Sequence, residues 1–324
     1  MNKQMTNRPK NQFRLAVVGH GFVGQAVEYA FTHPLVSFFA VDPKYNTSID
    51  DLKGFNPHIV FICAPTPEGD NGSVDATIVI DAVQKALIHT QALVVVKSTV
   101  TPDIIDRIYT SMDKTHIDRF VYNPEFLTES NAKSDFVNAD YHVFGGSENA
   151  THELSDIYDI FSGCSSNDYH YMTAFEASFV KYTINAYLST KVTFFNQIYD
   201  LINLYGCSYN IISRTVGLDP RVGIGHTRVP GFDKKRGFGG ACLPKDTKAL
   251  LKFSEETDED GNVVSMDILE RVLDINSRYR KNYELDEREK VNNITFVNFG
   301  GTNEHNEQAK KEQQTESNGD TIEE

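Results

Sequence analysis

The chain has 324 residues, 40% of them hydrophobic, which is enough for two domains with cores of their own. A formal net charge of −14 argues against nucleic acid as the main partner. The start, MNKQMTNRPKNQ, is too polar for a secretory signal, and no apolar run reaches membrane-spanning length. Four scattered cysteines (Cys63, Cys164, Cys207, Cys242) form neither a disulfide framework nor a metal-ligand spacing, so a cytoplasmic protein without a metal site is expected.

In chain order, RLAVVG (14–19) is a short apolar run entering a glycine turn, and FVGQAVEYAF continues it at helical spacing. SFFAVD (37–42) reads as a second strand ending on Asp42, eighteen residues beyond Gly24. HIVFICA (58–64) and LVVVKST (93–99) read as further buried strands, with a helix in VDATIVIDAVQKALIH between them. Apolar strands separated by helices imply an α/β, doubly wound, Rossmann-like parallel sheet. GHGFVG (19–24) is weak evidence alone. Between a strand and a helix, with an acid closing the next strand, it becomes a dinucleotide fingerprint. Gly19 would make the tight turn, Gly21 admit the pyrophosphate and Gly24 allow close helix packing, with Phe22 and Val23 between them. Asp42 would bind the ribose hydroxyls and repel a 2′-phosphate, which favours NAD over NADP; Lys44 nearby softens that exclusion. A structural glycine turn without cofactor is the competing reading.

Residues 173–205 form one long helical pattern, with apolar positions recurring at spacings of three and four. Lys181 and Asn185 are four apart and share a face, which makes them candidates for a site or, equally, ordinary surface positions. GFGGACLPKD (237–246) sets Cys242 after a glycine-rich turn and ahead of Pro244, Lys245 and Asp246. Pro244 suits a helix's first turn, which would put Cys242 near a helix N-terminus whose dipole favours a thiolate. An inert buried cysteine is the alternative. Residues 221–248 carry seven Lys/Arg against Asp233 and Asp246, a basic segment in an acidic protein that suggests an anionic small ligand.

These segments, with CAPTPEGDNGSVD (63–75), KSTVTP (97–102), NPEFLTESNAKSDF (123–136), FVKYTINAYLSTKVTFFNQI (179–198) and DPRVG (219–223), run in the order found in the UDP-glucose dehydrogenase family, which includes GDP-mannose dehydrogenase. The chain resembles that family over about residues 14–280. The resemblance implies NAD-dependent oxidation of a nucleotide-sugar 6-hydroxyl to a carboxylate, with UDP-glucose favoured. That would place the chain in nucleotide-sugar metabolism and polysaccharide biosynthesis. Cys242 would carry a thiohemiacetal and then a thioester. Lys181 would stabilise charge on the C6 oxygen with Asn185 and an Asp246-held water, and Glu125 and Thr99 would assist hydrolysis. Thr66, Thr99, Glu129 and Lys245 look like cofactor-side residues. Phe126, Leu127, Phe238 and Gly239 fall at substrate-binding positions beside Glu125, Lys181 and Asn185. Arg221 matches an arginine that reaches the substrate from a partner subunit, which implies a homodimer joined through the long helix.

The implied organisation is a polar extension (1–12), an NAD-binding domain (13–168) and a helical dimerisation domain carrying the cysteine loop (169–281). Residues 282–324 read as a truncated remnant of a C-terminal domain and an acidic tail. The tail is too polar for a core, and 292–307 resemble the first strand of a shortened unit. Further departures are Ser130, Ala139, Tyr141, Ser178 and a long basic loop at 224–236, whose Lys234, Lys235 and Arg236 could meet a phosphate. The alternatives are the same chemistry on GDP-mannose or another NDP-hexose, or a non-catalytic NAD-binding derivative.

Overall fold

The computed structural model describes residues 12–256 and 261–296. The first strands and helices alternate: β1 (Phe13–Val18), α1 (Phe22–Ala30), β2 (Val36–Val41), α2 (Leu52–Phe55), β3 (Ile59–Ile62), α3 (Thr77–His89) and β4 (Leu93–Val96). Then come α4 (Pro102–Thr110), α5 (Lys114–Ile117), β5 (Phe120–Tyr122), α6 (Ala132–Val137), β6 (His142–Gly146), α7 (Glu148–Phe161) and β7 (Tyr169–Met172). Helices follow: α8 (Ala174–Leu204), α9 (Tyr209–Gly217), α10 (Leu243–Ser254), α11 (Asp267–Arg280) and α12 (Glu287–Val291). The strand and helix spans expected from the sequence in the first half all form, and the long helical pattern becomes the 31 residues of α8.

Two compact units result. Among the described residues, one comprises 12–189, 239–256, 261–265 and 285–294; the other comprises 190–238, 266–284 and 295–296. The first unit holds one seven-stranded sheet in the order β2-β1-β3-β4-β5-β6-β7. Every neighbouring pair is parallel except β5–β6. β3 and β4 are buried along their whole length, as expected of strands covered on both faces. Leu15, Val17, Phe61, Val95, Phe144 and Tyr158 sit in one core with Ala26, Val27 and Phe31 of the first helix and its end. Each such large apolar side chain contributes about 1.5–3 kcal/mol when buried. The chain leaves β1 to one side for β2 and to the other for β3. The carboxyl ends of β1 and β3 therefore flank a topological switch point, where doubly wound sheets bind ligands.

The second unit packs the remainder of α8 with α9 and α11. Arg236 lies 4.6 Å from the rings of both Tyr199 and Tyr279, and donates to Asn196 and Asp200. Lys235 donates to the Glu284 carbonyl. Two of the three basic residues read as phosphate contacts are thus engaged inside the unit. Asn196 also accepts from Gly237, and Asn276 brackets Phe238 through its N–H and its carbonyl, so the segment entering the cysteine loop is pinned. Of the strand expected at 292–307, only 292–296 lie among the described residues, and they form turn and coil.

Candidate active site

The glycine turn sits where the fingerprint requires it. Gly19 adopts φ +87°, and a Cβ there would lie 2.6 Å from the Cys63 carbonyl oxygen, so glycine is needed for both conformation and space. A Cβ on Gly24 would lie 2.2 Å from the Gly19 oxygen, which forces the close approach of α1 to the turn. Gly21, the N-cap of α1, faces open space, as a pyrophosphate at a helix N-terminus needs. Phe22 and Val23 begin that helix. Asp42 follows β2 and accepts from the backbone N–H groups of His20 (2.7 Å) and Lys44 (3.0 Å). Some desolvation opposes its charge, but these two donors and the Lys44 ammonium hold its carboxyl below the usual range. The Lys44 ammonium donates to the His20 carbonyl. His20, unread in the sequence, bonds Tyr45 through Nδ1 and Glu28 through Nε2, each at 2.8 Å, and so ties the turn to α1 and to the stretch after β2. The residues present fit a dinucleotide with free ribose hydroxyls.

The second group of side chains surrounds Cys242. Its helix begins as expected, with Cys242 as N-cap and Pro244 in the first turn of α10. Lys181 and Asn185, one turn apart on α8, are 3% and 6% exposed, which rules out ordinary surface positions. Lys181 Nζ donates to the Glu125 carbonyl (2.5 Å) and lies 3.3 Å from Glu125 Oε1. Glu125 Oε2 accepts from the Leu127 N–H at 2.6 Å, and the Phe126 ring lies 5.3 Å from the Lys181 ammonium. Asp246 accepts from Asn185 Nδ2 (2.6 Å) and Lys245 Nζ (2.5 Å). Lys245, expected on the cofactor side, is therefore bonded within the carboxylate cluster. Thr99 lies buried after β4, Thr66 lies buried after β3, and Glu129 is exposed, 3.4 Å from Arg288. Gly239 belongs to the unit that holds Cys242. Arg221 and Phe238 belong to the other, where exposed Arg221 makes a two-point pair with Asp219.

The loop carrying Glu125 is held by groups that the sequence reading left unassigned. Asn123, 1% exposed at the end of β5, accepts from Lys97 Nζ (2.9 Å) and Tyr158 OH (2.8 Å). It donates to the Val143 carbonyl at 3.0 Å. Burial pushes the Lys97 ammonium down to about 8. A cavity of about 270 Å³ opens beside the loop, lined in part by Lys97, Glu125, Phe126, Leu127, Asp140 and Tyr141.

The electrostatics overturn one expectation. The helix N-terminus does not leave Cys242 as a thiolate. Burial pushes its thiol up to about 11, and Asp246 and Glu125 add to that against the opposing pull of Lys181 and Lys245. Lys181 is raised as well, which in a base favours the charged form: burial alone would depress it, but Glu125, Cys242 and Asp246 outweigh burial. The resting site therefore holds a protonated sulfur beside a permanent ammonium. Alkylation of Cys242 by iodoacetamide should accelerate about tenfold per pH unit from about pH 7 to about pH 9.5, because the thiolate fraction grows in that proportion below the pKa. A plateau near pH 8 would show an activated thiolate instead.

A doubly wound sheet with this turn and an acid closing the second strand has the features of a dinucleotide-binding protein. Residues 44–162 match the NAD binding domain of the UDP-glucose/GDP-mannose dehydrogenase family, and residues 175–278 match its central domain. Together these take in more than half of the chain, and it belongs to that family. The resemblance read from the motifs and the assignment of NAD are both borne out at this level. A UDP-glucose 6-dehydrogenase of Rickettsia bellii is 31% identical over 229 residues, which is 69% of this chain and 50% of that protein. One from Pseudomonas aeruginosa is 33% identical over 216 residues, 64% of this chain and 46% of that protein. The chain spans about half the length of the curated relatives it matches. A UDP-glucose dehydrogenase structure from Pyrobaculum islandicum superposes with a TM-score of 0.64 at 28% identity, over 85% of this chain and 70% of that one. A 3-hydroxyisobutyrate dehydrogenase of Mycobacterium tuberculosis shares the fold alone, with a TM-score of 0.60 at 14% identity over 84% of this chain and 94% of that one.

Proposed function

We propose that the protein is an NAD-dependent nucleotide-sugar 6-dehydrogenase that converts UDP-glucose to UDP-glucuronate. The observation that carries this reading is the convergence of Lys181, Asn185, Glu125 and Asp246 on Cys242 within one unit. Gly19, Gly21 and Gly24 with Asp42 would hold NAD, which supplies the hydride acceptor. The 6-hydroxyl first loses its proton as C6 gives up a hydride to that acceptor, leaving an aldehyde; the Cys242 sulfur adds to it, and the thiol proton passes to the former carbonyl oxygen, giving a thiohemiacetal. Loss of a hydride from C6 and a proton from that oxygen leaves a thioester. Water then adds to the thioester carbon, the C–S bond breaks, and the thiol is restored with release of the carboxylate. Lys181, held charged, stabilises the oxyanion at each stage. Asn185 fixes the Asp246 carboxylate, and Glu125 takes the proton of the hydrolytic water.

A second copy of the chain is the proposed partner. Tyr187, Phe194 and Leu201 recur at seven-residue spacing along α8, and each is more than half exposed. The four free thiols accord with a reducing, cytoplasmic setting. Among the described residues no helix is long and apolar enough to cross a membrane.

The test is NADH formation from NAD and a panel of nucleotide sugars, with the mass in solution measured on the same preparation. Two NADH per UDP-glucose from a dimer is the expected result. Turnover confined to GDP-mannose would replace the substrate, and no NADH with any sugar would overturn the reading.

A further inference from the structure

The stretch after α11 returns to the unit that carries Cys242 and grips the cysteine loop from two sides. Its helix α12 begins with a capping box: Asp286 accepts from the N–H groups of Arg288 and Glu289, and Glu289 Oε2 accepts from the Asp286 N–H at 2.9 Å. The other oxygen of Glu289 accepts from the Gly240 N–H at 3.0 Å, two residues before Cys242. Glu289 is 1% exposed, so this carboxylate is bonded inside the protein rather than to solvent. Gly240 sits at φ +79° with open space around a would-be Cβ, so the residue is glycine for its left-handed backbone.

The second grip passes through Glu68. The Asn292 carbonyl, just past α12, accepts from the Glu68 N–H at 2.9 Å. The Glu68 carboxylate accepts from Lys248 Nζ at 2.7 and 2.9 Å, in a pair where both side chains are under 5% exposed. Lys248 lies on α10, six residues past Cys242. Ile294, 1% exposed, anchors the end of the segment. The same short stretch thus holds the Gly240 backbone directly on one side of the sulfur and, through Glu68, the Lys248 side chain of α10 on the other.

We propose that Glu289 is a positioning residue for the nucleophile: by accepting the Gly240 N–H it locks the left-handed turn that aims and shields Cys242. The inference rests on the reading of Cys242 as nucleophile, but its effect on the thiol is measurable whether or not a sugar is turned over. Loosening the turn admits water to the sulfur while removing its fixed aim. In Glu289→Ala, alkylation of Cys242 by iodoacetamide at fixed pH should therefore quicken at least fivefold. NADH formation from UDP-glucose should fall at least tenfold in kcat, with the affinity for NAD within twofold of wild type. Glu289→Gln keeps one acceptor oxygen for the two N–H donors, Gly240 and Asp286, and should leave both rates between those of wild type and Glu289→Ala. A general loss of structure would weaken NAD binding along with turnover, and glutamine would not rescue it.

If Glu289→Ala does not fold, hydrogen exchange of residues 237–246 in Glu289→Asp decides the matter. The shorter side chain should speed exchange there at least tenfold and leave β1–β4 unchanged. Alkylation and exchange both within twofold of wild type in a folded variant would overturn the proposal. A wild-type protein inert toward every sugar would instead strike only the functional reading, since the thiol and exchange measurements stand without it.

Discussion

Cys242→Ser should lose the complete two-NADH oxidation of UDP-glucose by at least about 10³-fold, because an alcohol is a far weaker nucleophile than a thiol and its ester a poorer acyl donor. The first oxidation does not need the sulfur, so stoichiometry is the more telling readout than rate. Any NADH that still appears should stop at one per sugar, with an aldehyde that a hydroxylamine reagent can trap. NAD binding should be little changed, since the groups that would hold the dinucleotide, Gly19, Gly21, Gly24 and Asp42, are untouched by the substitution. A serine variant that still releases two NADH per sugar within tenfold of the wild-type rate would remove Cys242 from the mechanism.

Lys181→Met should show two separable losses. On the proposed mechanism the ammonium stabilises the oxyanion at the reacting carbon, and removing such a group costs about 10²–10³ in kcat. It is also one half of a buried ion pair with Glu125, and deleting one partner of such a pair costs about 3–5 kcal/mol. The low end of that range applies, because Glu125 Oε2 keeps its bond from the Leu127 N–H. Thermal unfolding separates the two effects. Glu125→Gln in the same background should recover stability, by removing the orphaned charge, but not kcat. If Lys181→Met retained kcat within threefold, Lys181 would be a structural cation only.

Much of this site was legible because its signals are local. The turn at 19–24 followed by an acid after the next strand, Pro244 behind Cys242, and the four-residue spacing of Lys181 and Asn185 each express one helix or one strand–turn–helix unit. The sequence left Lys181 and Asn185 balanced between site and surface, and burial on α8 decided it. What escaped is non-local. Lys248 and Glu68 pair across 180 residues, and Gly240 and Glu289 across 49, so neither partner marks the other along the chain. The capping box at Asp286–Glu289 is itself a sequence signal, yet the surrounding stretch read as a shortened remnant. The thiolate expectation failed for a related reason. Helix position can be inferred from Pro244, and Asp246 lies in the same motif, but the burial and the Glu125 carboxylate that add to its effect come from other parts of the fold.

The cluster around the sulfur pairs two cations, Lys181 and Lys245, with two anions, Glu125 and Asp246. It is balanced only while the sulfur keeps its proton, since a thiolate would add a charge with no counterpart. At pH 7 a thiol held near 11 is ionised in about one molecule in ten thousand, and peroxide attacks the ionised form. If Cys242 is the nucleophile, such a sulfur would be protected from oxidative wear between turnovers, and it would react when an electrophilic carbon is lodged against it and can take up both the sulfur and the proton.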